Sequence, residues 1–305
     1  MKCLITGGSG FMGSALAGKL TASGVEVWSA SRRAVGADGC HLLAGDVTDS
    51  ECVKDWLEAV RPDVVVHMSA QSLPGVSWKS PAETFECNVN GTINILTGMQ
   101  AAGRKARFMM ISSSSAYAAP TQAVSLPENS PLSGSSPYAW SKIAAEQAAL
   151  LYGKQFCLDV LVVRPFFIIG PGKTGDVSSD FARRIVAVER GDMDAIKVGN
   201  LEITRDFLDI EDAVRGLETI LEKGAPGSSY NLCSGSPVTI RQLLDDFKRH
   251  SIREIREEVD PGLIRPIDEP FKVGDCTRLK SLGWRPCVSR DQSVARILDH
   301  WRNSA

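Results

Sequence analysis

The chain has no apolar run long enough to cross a membrane, no long run of like charge and no C-x-x-C pair. Each absence removes a class of function. A spanning helix needs about 20 consecutive apolar residues, so a membrane protein is not expected. With 34 Lys and Arg against 36 Asp and Glu, the net charge is −2. That balance leaves no electrostatic footprint for nucleic acid or an anionic membrane surface. Eight cysteines are scattered along the chain, and only four histidines could join them. No metal site or disulfide framework is expected, and reduced thiols fit a cytoplasmic protein. Most of the cysteines read as small core residues. The opening "MKCLITGGSG" enters a strand and a glycine turn at once, so no signal peptide is expected.

What is present describes an ordinary globular protein: 305 residues, 43% hydrophobic and 23% charged. That length suits one large domain or two unequal ones. The first half alternates β-rich runs with helical patterns. "KCLIT", "VEVWSA", "CHLLA", "DVVVHMSA", "ARFMMISS" and "LDVLVVRP" read as strands; "FMGSALAGKLTAS", "SECVKDWLEAV", "AETFECNVNGTINILTGMQAA" and "SPYAWSKIAAEQAALLYGKQ" read as helices. Near-continuous apolar strands separated by helices predict a doubly wound parallel α/β sheet of Rossmann type. After Pro165 the rhythm breaks into loop-rich segments such as "PGKTGDVSSD", with helices near 211–222, 241–250 and 290–301. The expected division is a cofactor-binding domain over 1–165, joined by parts of 206–235, and a smaller α/β substrate-binding region over 166–305.

"TGGSGFMG" follows the first strand and opens the first helix. Gly7, Gly10 and Gly13 are spaced for a tight turn, a close approach to a pyrophosphate and helix-on-strand packing. Phe11 and Met12 begin the helix whose free N–H groups and positive dipole would meet the phosphates. A carboxylate ending the second strand would select NAD through the ribose 2′-OH. Here that strand ends in Ser31, Arg32 and Arg33. Guanidiniums suit a 2′-phosphate, so NADP(H) is expected over NAD(H), which stays possible. The plainer alternative is two arginines solvating a strand end. Asp46, followed by Val47 in "AGDVTD", is placed to receive an adenine amino group, unless it only caps a helix.

In "SPYAWSK", Tyr138 and Lys142 share one helix face. A phenol is a poor acid–base near neutral pH, and an adjacent ammonium stabilises its phenolate. Tyr138 could then exchange a proton with a carbonyl or hydroxyl oxygen while hydride moves. The pair occurs by chance in many helices; the glycine turn and the serine-ended strand "ISSSSAYAA" make it specific.

With these motifs the chain resembles the extended short-chain dehydrogenases/reductases that act on nucleotide sugars. The likeness covers the glycine turn, "DVVVHMSAQS", "NVNGT", the serine strand, "PYAWSK", "RPFFIIGPG", "VGNLEITRDFLDIEDAV", "YNLCSG" and "IRP". "AQSLPGVSWKSPAETFECNVNGT" and "FARRIV…KVGNLEITRDF" bring it nearest to GDP-6-deoxy-4-keto-mannose reductases and GDP-mannose 4,6-dehydratases. The resemblance implies a nucleotide-sugar substrate. It assigns Ser113, Tyr138 and Lys142 to catalysis, with Lys142 also holding the nicotinamide ribose. Met68, Ser69, Ala70, Asn88, Pro165 and Phe166 fall on the cofactor side. Ser72, Phe167, Arg183, Arg205 and Arg265 fall on the substrate side, the arginines to clamp a diphosphate.

Some positions depart from the pattern. Phe167 stands where the family carries a substrate-binding asparagine, and Leu73 and Pro74 interrupt a dehydratase-like "AQSHV". Dehydratases of the family also carry an acidic pair just after the catalytic Ser/Thr, to protonate a departing hydroxyl and abstract the adjacent proton. Ser114 and Ser115 occupy those places, and serine does neither without an activating partner. The expected activity is therefore NADPH-dependent reduction of a nucleotide-linked 4-keto-6-deoxyhexose. A nucleotide-sugar 4-epimerase is the alternative, and a dehydratase or a non-catalytic NADP sensor stands behind it. Alanines 144, 145, 148 and 149 give the Tyr138 helix a small-residue face. In this family such a face often forms a homodimer interface; the alternative is packing on the sheet.

Overall fold

The computed structural model describes residues 1–103, 105–264 and 269–304. Six strands follow one another in the first part: β1 (Lys2–Thr6), β2 (Glu26–Ser31), β3 (His41–Ala44), β4 (Val64–His67), β5 (Arg107–Ile111) and β6 (Asp159–Pro165). A seventh, Ser229–Leu232, arrives from the second half and pairs in parallel with β6. The order across the sheet is Ser229–Leu232, β6, β5, β4, β1, β2, β3, with every pair parallel. All four residues of β4 are buried, as the unbroken apolar run "VVVH" requires of a strand covered on both faces. The order steps outward from β1 in two directions, so a switch point lies between β1 and β4. In such sheets ligands bind outside the carboxyl ends of the strands beside that point.

Helices α1 (Phe11–Ala22) and α2 (Ser50–Val60) have their starts written in sequence. Asp49 caps α2, accepting from the Glu51 and Cys52 amides at 3.0 and 3.2 Å. That leaves Asp46 outside the helix-cap role. The long "AETFECNVNGT…" helix is interrupted: Pro81–Phe85 and Gly91–Ala101 are α-helical, and Glu86–Asn90 between them is a π turn. The helix Pro137–Phe156 starts with Ser136 accepting from the Ala139 amide at 3.2 Å. Its Ala145 and Ala149 are fully buried and pack into the core beneath the sheet. The small-residue face is thus partly used within the chain, while Trp140 and Leu151 on the same helix stay exposed.

The second part builds its own core around Phe181, Ile185, Leu243, Phe247 and Ile297. A small sheet joins Pro237–Thr239, Thr204–Asp209 and Phe271–Lys272, with Phe167–Ile169 alongside. The segment "PGKTGDVSSD" is not all loop. Asp176 forms a capping box with Ser179 and starts a helix over Val177–Arg190. The signal was Asp-x-x-Ser, with serine rather than glutamate at the third helical position.

Candidate functional site

One cleft of about 1810 Å³ runs along the carboxyl ends of the parallel strands. Pockets for single small ligands occupy roughly 300–1,000 Å³, so this one has room for two. Its walls carry Gly7–Ser14, with the exception of Gly8, then Ser31–Arg33, Gly45–Thr48, Met68–Pro74, Ile111–Ser115 and Pro165–Ile168. The second part adds Phe181, Arg184, Lys197, Asn200 and Arg205.

The glycine turn is built for close approach. Gly7 has φ +71°, and a Cβ there would stand 2.7 Å from the Ser69 amide nitrogen. A Cβ on Gly13 would lie 2.3 Å from the Gly7 carbonyl oxygen. Only glycine fits both places. Gly10 precedes α1, and neither a side-chain cap nor an acid in the first turn occupies the helix N-terminus. That end is open to an anion. Ser31 and its two arginines follow at the end of β2. The Ser31 hydroxyl bonds the Arg33 carbonyl, and both guanidiniums are exposed on the cleft wall. Asp46 uses Oδ1 to hold the Thr48 amide and hydroxyl at 3.0 Å each, and Val47 beside it is buried against Gly91. Ser112 Oγ is buried on the wall and lacks a hydrogen-bond partner among the described residues. An orphaned hydroxyl, a vacant helix end and a glycine cradle together fit a dinucleotide.

The reactive cluster gathers from two elements. Ser113 lies two residues past β5 and caps the short turn Ser114–Ala116, its Oγ accepting from the Ser115 amide at 3.1 Å. Tyr138 and Lys142 come from the first turns of the Pro137–Phe156 helix, only 8% and 5% exposed. Burial pushes the Tyr138 phenol up, and the Ser113 side chain opposes that shift. Burial also pulls Lys142 down to about 8, against the pull of Cys87 and Glu146 in the other direction. His67, hydrogen-bonded to Thr6 and Thr92 at 2.7 and 3.1 Å, is driven down to about 3 by burial and by Lys142, which keeps it neutral.

Asn88 sits in the π turn behind the cleft rather than on its wall. Its Oδ1 accepts the Gln71 amide at 2.8 Å, while Nδ2 donates to the Gln71 carbonyl at 3.0 Å and to Ser141 Oγ at 2.8 Å. It therefore ties the Met68–Ser72 segment to the Tyr138 helix.

On the substrate side, Ser72, Phe167 and Arg205 all line the cleft. Arg205 donates to the Thr204 and Glu269 carbonyls at 2.9 and 2.7 Å and lies over the Phe167 ring, 5.4 Å from its centre. The aromatic at 167 is thus a platform for that guanidinium, a role its sequence did not announce. Arg183 is placed elsewhere: it covers the Trp301 ring at 5.4 Å, and its neighbour Arg184 reaches the cleft. One position along a helix is a rotation of about 100°. Arg265 lies outside the described residues. Ser114 is buried, and Ser114 and Ser115 both line the cleft beside Ser113.

Comparison with known proteins agrees with this geometry. The family model described as GDP-mannose 4,6 dehydratase matches residues 4–297. The GDP-6-deoxy-D-mannose reductase of Pseudomonas aeruginosa is 33% identical over 264 residues, spanning 85% of this chain and 86% of the relative. The solved structure of RMD from Pseudomonas aeruginosa complexed with NADPH matches with a TM-score of 0.89 at 30% identity, covering 100% of this chain and 99% of that one. The UDP-glucose 4-epimerase of Thermus thermophilus in complex with NAD gives 0.91 at 26% identity, covering 100% of both chains. With its glycine cradle, its Ser–Tyr–Lys cluster and a family match over nearly its whole length, the chain belongs to the GDP-mannose 4,6 dehydratase family, within the extended short-chain dehydrogenases/reductases.

Proposed function

We propose that this protein is an NADPH-dependent reductase of a GDP-linked 4-keto-6-deoxyhexose. The observation that carries the reading is the pair Ser114 and Ser115, on the cleft wall where a dehydrating member needs acids. Loss of water requires a proton donor for the departing hydroxyl and a base for the adjacent C–H, and hydroxyls at those places supply neither. The likeness to the Pseudomonas aeruginosa reductase points the same way.

In this reading Tyr138 gives its phenolic proton to the C4 carbonyl oxygen, and Ser113 hydrogen-bonds that oxygen. Lys142 acts as a fixed cation beside the phenol, favouring the phenolate left behind. Bound NADPH would supply the hydride that reaches sugar C4. Gly7, Gly10 and Gly13 would admit its pyrophosphate, with Met68, Ser69, Ala70, Pro165 and Phe166 walling the rest of the groove. Arg205 on its Phe167 platform, and Arg184 in place of Arg183, would meet the substrate diphosphate.

The reading is tested by mixing the purified chain with NADPH and GDP-4-keto-6-deoxymannose. The reduced-nicotinamide absorbance should fall in step with substrate, one to one. The alternative of a 4-epimerase has the fold match to the Thermus enzyme in its favour. It predicts that the keto sugar leaves NADPH unoxidised while a 4-hydroxy nucleotide sugar is inverted at C4 with no net change in absorbance, and that result would replace the reductase reading.

Two further outcomes follow from charge. The Lys142 ammonium is lost as pH rises through about 8, so reduction should be sustained near neutral pH and decline above that value; a flat rate to pH 10 would remove Lys142 from the mechanism. Arg32→Ala should weaken NADPH binding and leave NADH binding unchanged. A charge-assisted hydrogen bond contributes about 1.5–3 kcal/mol, or roughly 10- to 100-fold in Kd. Equal losses for both cofactors, read by fluorescence titration, would contradict recognition of a 2′-phosphate.

A further inference from the structure

The buried carboxylate of Glu146 has no place in the chemistry above, yet it lies one turn beyond Lys142 on the same helix. Glu146 is fully buried and Arg164, on β6, is 4% exposed. The two form a fork-to-fork pair: Arg164 Nε donates to Oε2 at 3.0 Å and Nη2 bonds Oε1. The same guanidinium continues outward. Its Nη1 donates to the Tyr117 hydroxyl at 2.8 Å and to the Glu128 carbonyl at 2.7 Å. Tyr117 in turn donates to Asn231 Oδ1 at 2.6 Å. Tyr117 directly follows the serine turn that carries Ser113, and Asn231 belongs to the last strand of the sheet. One guanidinium therefore joins the serine turn, the Tyr138–Lys142 helix and the strand arriving from the second half.

We propose that Glu146, clamped by Arg164, is a positioning residue for catalysis: it keeps Lys142 protonated in a water-poor site and fixes the Tyr138 helix against the Ser113 turn. This rests on the reading of Tyr138 and Lys142 as the proton-handling pair. Among the described residues, the titratable groups that interact with Lys142 are Glu146 from its own helix, Cys87 from the π turn and His67 from β4, with Tyr138 one turn before it on the helix. His67 is held neutral and the Cys87 thiol is pushed up by burial. Glu146 is thus the one carboxyl group of this set, held at both oxygens by the Arg164 guanidinium. Desolvation works against an ammonium here, and an adjacent carboxylate in a low-dielectric setting opposes it. Loss of Glu146 leaves Lys142 and Arg164 as buried like charges. Loss of Arg164 alone leaves Glu146 facing Lys142 without its clamp. The two changes should move Lys142 in opposite directions, which a purely structural role would not do.

The test is competitive acetylation of Lys142 in the cofactor-free chain across pH 6–10, with the modified peptide quantified by mass spectrometry. In Glu146→Gln the titration midpoint should fall by about one pH unit, and in Arg164→Met it should rise. The alkaline limb of NADPH oxidation should follow both shifts. Should either single variant fail to fold, the apolar double variant Glu146→Leu with Arg164→Met removes both charges. Its midpoint should lie below wild type and above Glu146→Gln. An unmoved midpoint in a folded variant lacking Glu146, or shifts of the same sign in the two single variants, would overturn the proposal. The labelling needs no substrate, so a wrong sugar assignment leaves this result standing and is seen separately in the turnover assay.

Discussion

Tyr138→Phe is expected to lower the rate of keto-sugar reduction by about 10²- to 10⁴-fold, the range for loss of a positioned acid–base group. The change removes one oxygen from a side chain that is 8% exposed and keeps the ring that fills its site. NADPH affinity should hold, because the glycine cradle, Arg32 and Arg33 are untouched. The loss should appear in kcat, since the proton moves only in the transition state. Ser113→Ala, which keeps the donor and removes an oxygen-binding partner, should cost less. If Tyr138→Phe kept near wild-type turnover with cofactor bound, another group would have to donate the proton.

The second large effect is on stability. Arg164→Met should destabilise the fold by about 3–5 kcal/mol, the range for removing one partner of a buried pair. The reason is what it leaves behind: a fully buried Glu146 carboxylate, and the Tyr117 hydroxyl and Glu128 carbonyl each without a donor. A buried pair is itself weak evidence for net stability, because desolvation of two ions offsets most of their attraction. The double variant Glu146→Leu with Arg164→Met removes both charges and should recover most of the loss. Urea unfolding of the three proteins reads this directly. Equal midpoints for Arg164→Met and wild type would mean that water reaches the pair in solution.

How much of this was legible in the sequence depends on the kind of signal. The parallel sheet was readable because buried strands such as "VVVH" and "RFMMI" are apolar without alternation, and glycines punctuate the first turn. The Ser113, Tyr138 and Lys142 cluster was readable because it combines a strand end with an i, i+4 helix pair. The second part was harder. Its strands are only two to six residues long, too short for a period to show. The helix over Val177–Arg190 begins inside a stretch rich in glycine and serine, so its phase was hidden. Arg183 was expected at the substrate from the family resemblance, and the next residue along this helix, Arg184, is the one on the cleft wall. Asn88 was expected on the cofactor side; its bridge from Gln71 to Ser141, made from within a π turn behind the cleft, was announced by no local pattern. Arg164 and Glu146 were silent for a different reason: they sit 18 positions apart, and only the packing of helix on sheet pairs them.

Hydride transfer to a sugar carbonyl without loss of water is inferred from two serines where acids would be needed. The most direct measurement uses NADPH carrying deuterium at nicotinamide C4, each face labelled in turn, with GDP-4-keto-6-deoxymannose. Direct reduction predicts a product that has gained one deuterium at sugar C4 from one of the two labelled forms, with NADP formed in equal amount. A sugar product free of deuterium from both forms, or release of water from GDP-mannose by this chain, would contradict it.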